Sequence, residues 1–210
     1  MTRQYDLGRT LLGGKRMNLS EQLRMTVYAS LLAALTAAGA YLAIPIGPVP
    51  IVLQNLFIFL SGLLLGGKWG LASVAVYLLA GVCGLPVFAG GTGGIGRIVG
   101  PTGGYLIGFL PAVFLIGLIS EKAKGRVLFD VIGMICGTLV IYALGVSWLK
   151  IQTGMGWTKT LALGMYPFLP GDVLKIAAAV PIARALRPVL KLKSDQASAE
   201  PSGQYGTRPQ

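Results

Sequence analysis

Apolar residues run through this chain in long blocks broken by short polar or glycine- and proline-rich stretches. The blocks cover residues 25–43, 53–65, 71–83, 104–119, 127–149 and 173–186, the last with a lead-in from Thr158. Blocks of this kind read as membrane-spanning helices. Some fall short of the ~20 residues that a simple span needs, so they begin inside the flanking loops or tilt little. The pattern predicts an all-α bundle of six transmembrane helices over residues 25–190. A polar, basic leader (1–24) precedes it, and a Ser-, Gln-, Pro- and Gly-containing tail (191–210), expected to be disordered, follows. A secretory signal competes for the first block, since Ala38-Gly39-Ala40 offers a small-x-small cleavage pattern. The long basic leader and the membrane-like remainder favour a retained span.

Two connections stand out. Residues 44–50 hold Pro45, Pro48 and Pro50 and cannot continue a helix, which predicts a tight turn. Residues 85–105, LPVFAGGTGGIGRIVGPTGGY, hold eight glycines and two prolines between two apolar blocks. Such a backbone reaches positive φ and comes close to other surfaces. Extended backbone beside a membrane must sit in protein or line a cavity, because its N–H and C=O groups cannot face lipid unpaired. The stretch therefore predicts the lid and wall of a solute site.

Composition agrees. The 210-residue chain is 12% charged, where a soluble domain has roughly 25%, and its mean hydropathy is +0.71. The net charge of +11 would raise nucleic acid as a partner in a soluble protein. Here the basic residues flank apolar blocks, so no nucleic acid is expected. Placing the N-terminus in the cytoplasm and alternating puts Arg3, Arg9, Lys15, Arg16, Arg24, Lys68, Lys122, Lys124, Arg126, Arg184, Arg187, Lys191, Lys193 and Arg208 inside. Only Arg97, Lys150 and Lys159 then lie outside, as the positive-inside bias requires. Both termini are cytoplasmic in that arrangement, and the two unusual connections share the outer face.

Candidate chemistry is sparse. The chain has no His, which removes the usual neutral-pH acid–base group and the commonest metal ligand. Cys83 and Cys136 lie far apart in apolar blocks and read as small buried hydrophobes; no metal spacing is present. Asp172 and Lys175 open the last block at i and i+3, on one helical face. They can be an N-cap and a snorkelling lysine. Ionisable groups at membrane depth favour a solute-binding pair instead. Gln54 and Asn55 are either helix-end residues or hydrogen-bonding groups facing the same cavity. Tyr41, Phe88 and Tyr105 can give apolar cover, and Gly93 and Gly94 a close backbone approach. Arg97 can meet a carboxylate or remain a solvated loop charge.

Two nucleotide-like motifs mislead. Residues 91–96 match GxGxxG but follow no strand, and residues 62–68 approach a P-loop with Trp69 where Ser or Thr must hold magnesium. Ala29, Ala33 and Ala37, with Ala34 and Ala38 beside them, make a smooth stripe, either for packing within the chain or for docking to another membrane protein. Gly133 and Gly137 form a GxxxG, for internal packing or a dimer contact.

Four separated motifs, in order, resemble the BioY family: residues 47–51 (GPVPI), 85–91 (LPVFAGG), 100–105 (GPTGGY) and 167–172 (PFLPGD) with Lys175. That family is the biotin-specific substrate-binding (S) component of energy-coupling factor (ECF) transporters. The resemblance covers about residues 25–190. It implies a six-helix bundle of the ECF substrate-component type in the bacterial inner or plasma membrane. Biotin, the transported ligand, would be held near the outer face under the loop between the third and fourth spans, with no cofactor. Asp172 and Lys175 would meet the ureido end, and Arg97 or backbone N–H groups the carboxylate. Ala29, Ala33 and Ala37 would face a transmembrane coupling (T) subunit joined to two cytoplasmic ATPases. Two other functions compete: a stand-alone carrier working without ATPases, and a membrane enzyme. The enzyme is opposed by the absence of His, of a metal cluster and of paired carboxylates in one site.

Overall fold

A computed structural model describes residues 18–44 and 48–199, the side chains of 191–199 apart. Helices α1 (Leu19–Tyr41), α2 (Gln54–Val82), α3 (Gly96–Val99), α4 (Gly103–Lys122), α5 (Val127–Thr153), α6 (Trp157–Gly164) and α7 (Leu169–Ala199) account for nearly all of it. Two short strands, β1 (Ala43–Ile44) and β2 (Ile51–Val52), pair antiparallel with Ile44 opposite Ile51. They bring the ends of the expected turn together; residues 45–47 lie outside the described residues. α1, α2, α4 and α5 are long and apolar enough to cross a membrane.

The blocks at 53–65 and 71–83 form one stretch of helix, α2, interrupted at Gly66 (φ 78°, ψ −174°). The interruption reverses the chain. Gly70 lies against Ser61 and Gly62, so that a Cβ added to it would stand 3.0 Å from the Ser61 carbonyl oxygen. In a straight helix those residues would be separated by about 13 Å of axial rise. The two halves of α2 therefore lie side by side, and each block keeps its own direction. Gly117 of α4 packs on the backbone of Gly66 and Gly67, which locks the turn against its neighbour.

Other boundaries moved. α1 starts at Leu19, inside the expected leader, because Asn18 and Glu21 form a capping box; Asn18 N–H donates to Glu21 Oε2 at 3.2 Å. The lead-in from Thr158 is a separate helix, α6, and α7 begins before Val173 and runs to Ala199, into the stretch expected to be disordered. The rest of the leader (1–17) and of the tail (200–210) lies outside the described residues. The glycines at 133 and 137 pack on Ile116 and Ile119 of α4, so this GxxxG serves internal packing.

Two apolar cores stack along the bundle. One gathers Phe59, Leu63, Ile116, Met134, Ala179 and Ala183. The other gathers Tyr77, Phe88, Tyr105, Phe109, Ile141, Tyr142 and Phe168 beneath the glycine-rich loop. At the end of the bundle away from that loop, Arg187 of α7 reaches Asp130 of α5 at 2.7 Å, with further bonds to Ser120 Oγ and the Leu63 and Gly125 carbonyls. Asp130 is 1% exposed, so this ion pair clamps α2, α4, α5 and α7 at one point.

Gly66 occupies a region of φ/ψ space open almost only to glycine, where a side chain costs on the order of 1–3 kcal/mol. Gly66→Ala is expected to lower thermal stability in detergent by about that amount. The nearest side chain, Glu121, is exposed and free to swing aside. Adding Glu121→Ala should therefore not restore the melting temperature; recovery in the double variant would mean that contact, not backbone conformation, sets the cost.

Candidate functional site

The glycine-rich stretch is folded and tied at several points. Gly90 N–H donates to the Ala40 carbonyl at the end of α1 (3.2 Å), and Gly94 N–H to the Gly81 carbonyl at the end of α2 (2.7 Å). Phe88 N–H donates to the Thr92 carbonyl at 2.8 Å. Farther along, Trp148 of α5 donates from Nε1 to the Gly100 carbonyl at 2.9 Å. Backbone polar groups that could not face lipid are thus met within the protein. The Phe88 ring is 2% exposed; it sits on Gly81 and meets Tyr77 edge-on at 5.6 Å.

Under this cover lie two cavities of about 50 Å³ each, which share a wall of Val49, Pro50, Val52, Tyr105 and Phe109. The first is further lined by Gln54, Phe88, Thr92, Arg97 and Thr102. The second is lined by Asn55, Ile141, Tyr142, Phe168 and Lys175. The α1–α2 connection, the loop, and α2, α4, α5 and α7 all contribute, so residues distant in sequence converge on one place.

The second cavity ends in a buried polar cluster. Lys175 Nζ meets Asp172 Oδ1 at 3.1 Å, and the Tyr142 hydroxyl donates to Asp172 Oδ2. Asp172 is 3% exposed and Lys175 7%. Neither structural role open to the pair is met. Asp172 does not cap α7: its own N–H already donates to the Phe168 carbonyl at 2.9 Å, and its carboxylate points across to α5. Lys175 does not snorkel. The pair is neutral as a unit, and a buried pair of this kind is tolerated because both carboxylate oxygens are met.

The first cavity ends differently. Gln54 is 2% exposed, and its Nε2 has no partner among the described residues. Arg97, in α3, forms no ion pair among the described residues. A buried donor without an acceptor is costly, and a cation facing a cavity favours an anion. Tyr105 lines both cavities, and its hydroxyl donates to the Gly164 carbonyl at 2.8 Å, which fixes the ring as a partition.

The other expected contacts lie outside the lining. Tyr41 is 54% exposed and its ring rests on Gly91, bracing the loop from outside. Gly93 packs on the Leu85 carbonyl and Gly94 takes φ 92°, so both shape the loop rather than face the cavity. Ala29 and Ala33 are buried; Ser73 of α2 donates to the Ala29 carbonyl at 2.8 Å, so in this conformation the expected docking stripe is an internal packing surface. One residue further round α1, Ser30, Ala34 and Ala38 are exposed. Tyr142, Phe109 and Phe168 were not expected. Tyr142 alone carried a usable signal, as a hydroxyl in an apolar block that must find a partner.

A family model described as "BioY family" matches residues 14–192. The chain belongs to the BioY family. Among its relatives, a "probable biotin transporter BioY" of Pyrococcus horikoshii is 44% identical over 158 residues, covering 75% of this chain and 93% of the relative. A "biotin transporter BioY" of Thermotoga maritima is 42% identical over 165 residues, covering 79% of this chain and 96% of the relative. Among solved structures, a crystal structure of the S-component for biotin from an ECF-type ABC transporter superposes with a TM-score of 0.77 at 35% identity, covering 82% of this chain and 95% of that one. BioY proteins are transporters rather than enzymes, and this chain is a multi-pass membrane protein of that family.

A Cβ at Gly93 would enter the Leu85 backbone, which has no flexible end to yield. Gly93→Ala is expected to displace the loop, increasing proteolytic cleavage within residues 85–95 by several-fold in the purified protein while leaving helix content by circular dichroism unchanged. An unaltered cleavage rate would show that the loop absorbs the methyl group.

Proposed function

We propose that this chain is the biotin-binding S component of an ECF-type uptake transporter. It captures biotin at the outer face and delivers it inward with a transmembrane T subunit and two cytoplasmic ATPases. The reading includes six membrane crossings, two of them by the halves of α2 on either side of Gly66, with both termini cytoplasmic. The observation that carries it is the pairing of two unlike polar ends across one apolar partition. Biotin has a neutral ureido group, an apolar fused ring and chain, and a carboxylate. A charge-neutral donor–acceptor cluster (Asp172, Lys175, Tyr142, with Asn55 nearby) suits the ureido group. The shared wall of Val49, Val52, Tyr105 and Phe109 suits the ring and chain. Arg97, with Gln54 Nε2, which has no partner among the described residues, suits the carboxylate. The named relatives and the S-component neighbour support the same ligand and the same kind of assembly.

The cavities are well below the roughly 300 Å³ typical of a ligand site. Binding therefore has to move a wall, and we assign that movement to the loop 85–102, which would have to loosen its ties to Ala40, Gly81 and Trp148. Docking to the T subunit is assigned to the outward face of α1, where Ser30, Ala34 and Ala38 allow close approach between flanking Leu31 and Leu35.

Calorimetry of the purified chain in detergent, without partners or ATP, should show one-to-one biotin binding. No heat from a folded sample would remove the ligand assignment. Asp172→Asn and Lys175→Ala should each weaken binding by about 1–3 kcal/mol, the cost of leaving a buried partner unmet. Arg97→Gln should weaken biotin while leaving biotin methyl ester little changed; equal losses for both would place the carboxylate elsewhere. Uptake by the chain alone in liposomes would favour a stand-alone carrier.

The α1 faces separate assembly from folding. Ala33→Trp, at a buried site, should lower stability by about 1–3 kcal/mol through overpacking. Ala34→Trp should leave stability and biotin binding intact but reduce co-purification of the T subunit and biotin uptake. Normal uptake by Ala34→Trp would move the docking face off this stripe.

A further inference from the structure

The junction of α4 and α5 carries a feature that ligand capture does not use. A cleft of about 630 Å³ opens there, lined by Ile119, Lys122, Lys124, Arg126, Phe129 and Ile132. All three cations are exposed, and none makes an ion pair among the described residues. No carboxylate lines the cleft. Asp130, the acidic residue of the first turn of α5, is turned away into the bundle, where Arg187 and Ser120 engage it. Arg126, the N-cap of α5, supplies no side-chain cap, so the positive end of a 27-residue helix opens on the same corner.

The apolar side of the cleft has a different outlook. Phe129 is 40% and Ile132 39% exposed, and Leu128 beside them 67%. They belong to a helix apolar enough to span a membrane, so they face acyl chains while the cations sit at its end, at the water boundary. A neighbouring cleft shares Lys124 and is otherwise lined by residues that include Ser120, Glu121 and Arg187; its arginine is saturated by Asp130, Ser120 and two carbonyls, and it contains an acid.

We propose that the Lys122–Lys124–Arg126 cleft binds the phosphate headgroup of an anionic phospholipid whose acyl chains lie along Phe129 and Ile132. Such a site requires only that α4 and α5 cross the membrane, and it is independent of what the outer cavity binds. Charge complementarity selects an anion, and the adjoining lipid-facing apolar surface selects one that carries acyl chains.

The test is native mass spectrometry of the full chain in detergent, titrated with phosphatidylglycerol or with phosphatidylcholine of the same acyl chains. Wild type should retain phosphatidylglycerol at least tenfold better. Lys122→Gln/Lys124→Gln/Arg126→Gln should reduce that preference at least fivefold. Lys68→Gln/Lys159→Gln/Arg184→Gln, with the same charge removed elsewhere, should keep it. Equal retention of the two lipids, or equal loss in both triple variants, overturns the site. So does binding of inorganic phosphate as tight as that of phosphatidylglycerol, which would make it a plain anion site. A photo-reactive phosphatidylglycerol added to the wild type provides a readout free of any folding defect. Crosslinks should map to residues 119–132; crosslinks mapping only elsewhere, or protection of the cleft by a second copy of the chain, overturn the proposal.

Discussion

A carboxylate buried at Asp172 constrains everything around it. Removed from water, it needs a donor for each oxygen, and the fold supplies one from its own helix and one from α5. That requirement sets the rotation of α7, which must turn Asp172 and Lys175 toward Tyr142. It also explains why α6 is a separate short helix: the chain needs a corner at Met165–Phe168 to bring α7 in at this angle, and Phe168 then closes the cavity from beneath. The Tyr105 hydroxyl, bonded to the carbonyl of Gly164 at the same corner, couples the partition between the cavities to that turn. The polar cluster and the apolar wall are thus positioned by one set of contacts.

Much of this was legible in the residues. Apolar blocks gave the helices, since an unbroken apolar run in lipid satisfies its own backbone polar groups as a helix, whereas barrel strands alternate apolar and polar residues. The glycine-rich loop and the Asp172–Lys175 spacing pointed to the region of the two cavities and the buried pair because such features are expensive beside a membrane. What could not be read was three-dimensional. Tyr142 lies thirty residues from Asp172, and no local pattern says that the two touch. The rotation of α1 was hidden for a related reason: alanines run continuously round one side of the helix, so spacing alone cannot tell the buried row from the row one residue on. The hydrogen bond from Ser73 to Ala29 settles the rotation, and it joins residues in different helices.

The reversal inside α2 shows the opposite case. Two apolar blocks separated by residues 66–70 (GGKWG) are separable by sequence, yet the helical hydrogen bonding runs almost through the turn. A connection this short works only because one glycine accepts a conformation closed to other residues and because Gly117 leaves room for α4 to pack against it. Counting helices by length alone would merge the halves; the direction of the chain separates them.

α7 carries one ion pair near its start and another past its middle, and the two differ in a way that assigns them different work. Arg187 meets a carboxylate, a hydroxyl and two carbonyls, so its guanidinium is saturated and the carboxylate beside it is fully engaged. A cluster so complete has no capacity to bind anything further, and its effect is to hold four helices together. The cavities at the other end keep Gln54 Nε2 and the Arg97 guanidinium without a partner among the described residues, beside apolar walls. Polar groups left open in that way destabilise the empty protein slightly and reward whatever completes them. The asymmetry follows from the topology. The clamp lies where α2, α4, α5 and α7 meet directly, while the cavities lie where loops, held by the Phe88 ring and a few backbone hydrogen bonds, replace helices as the covering surface.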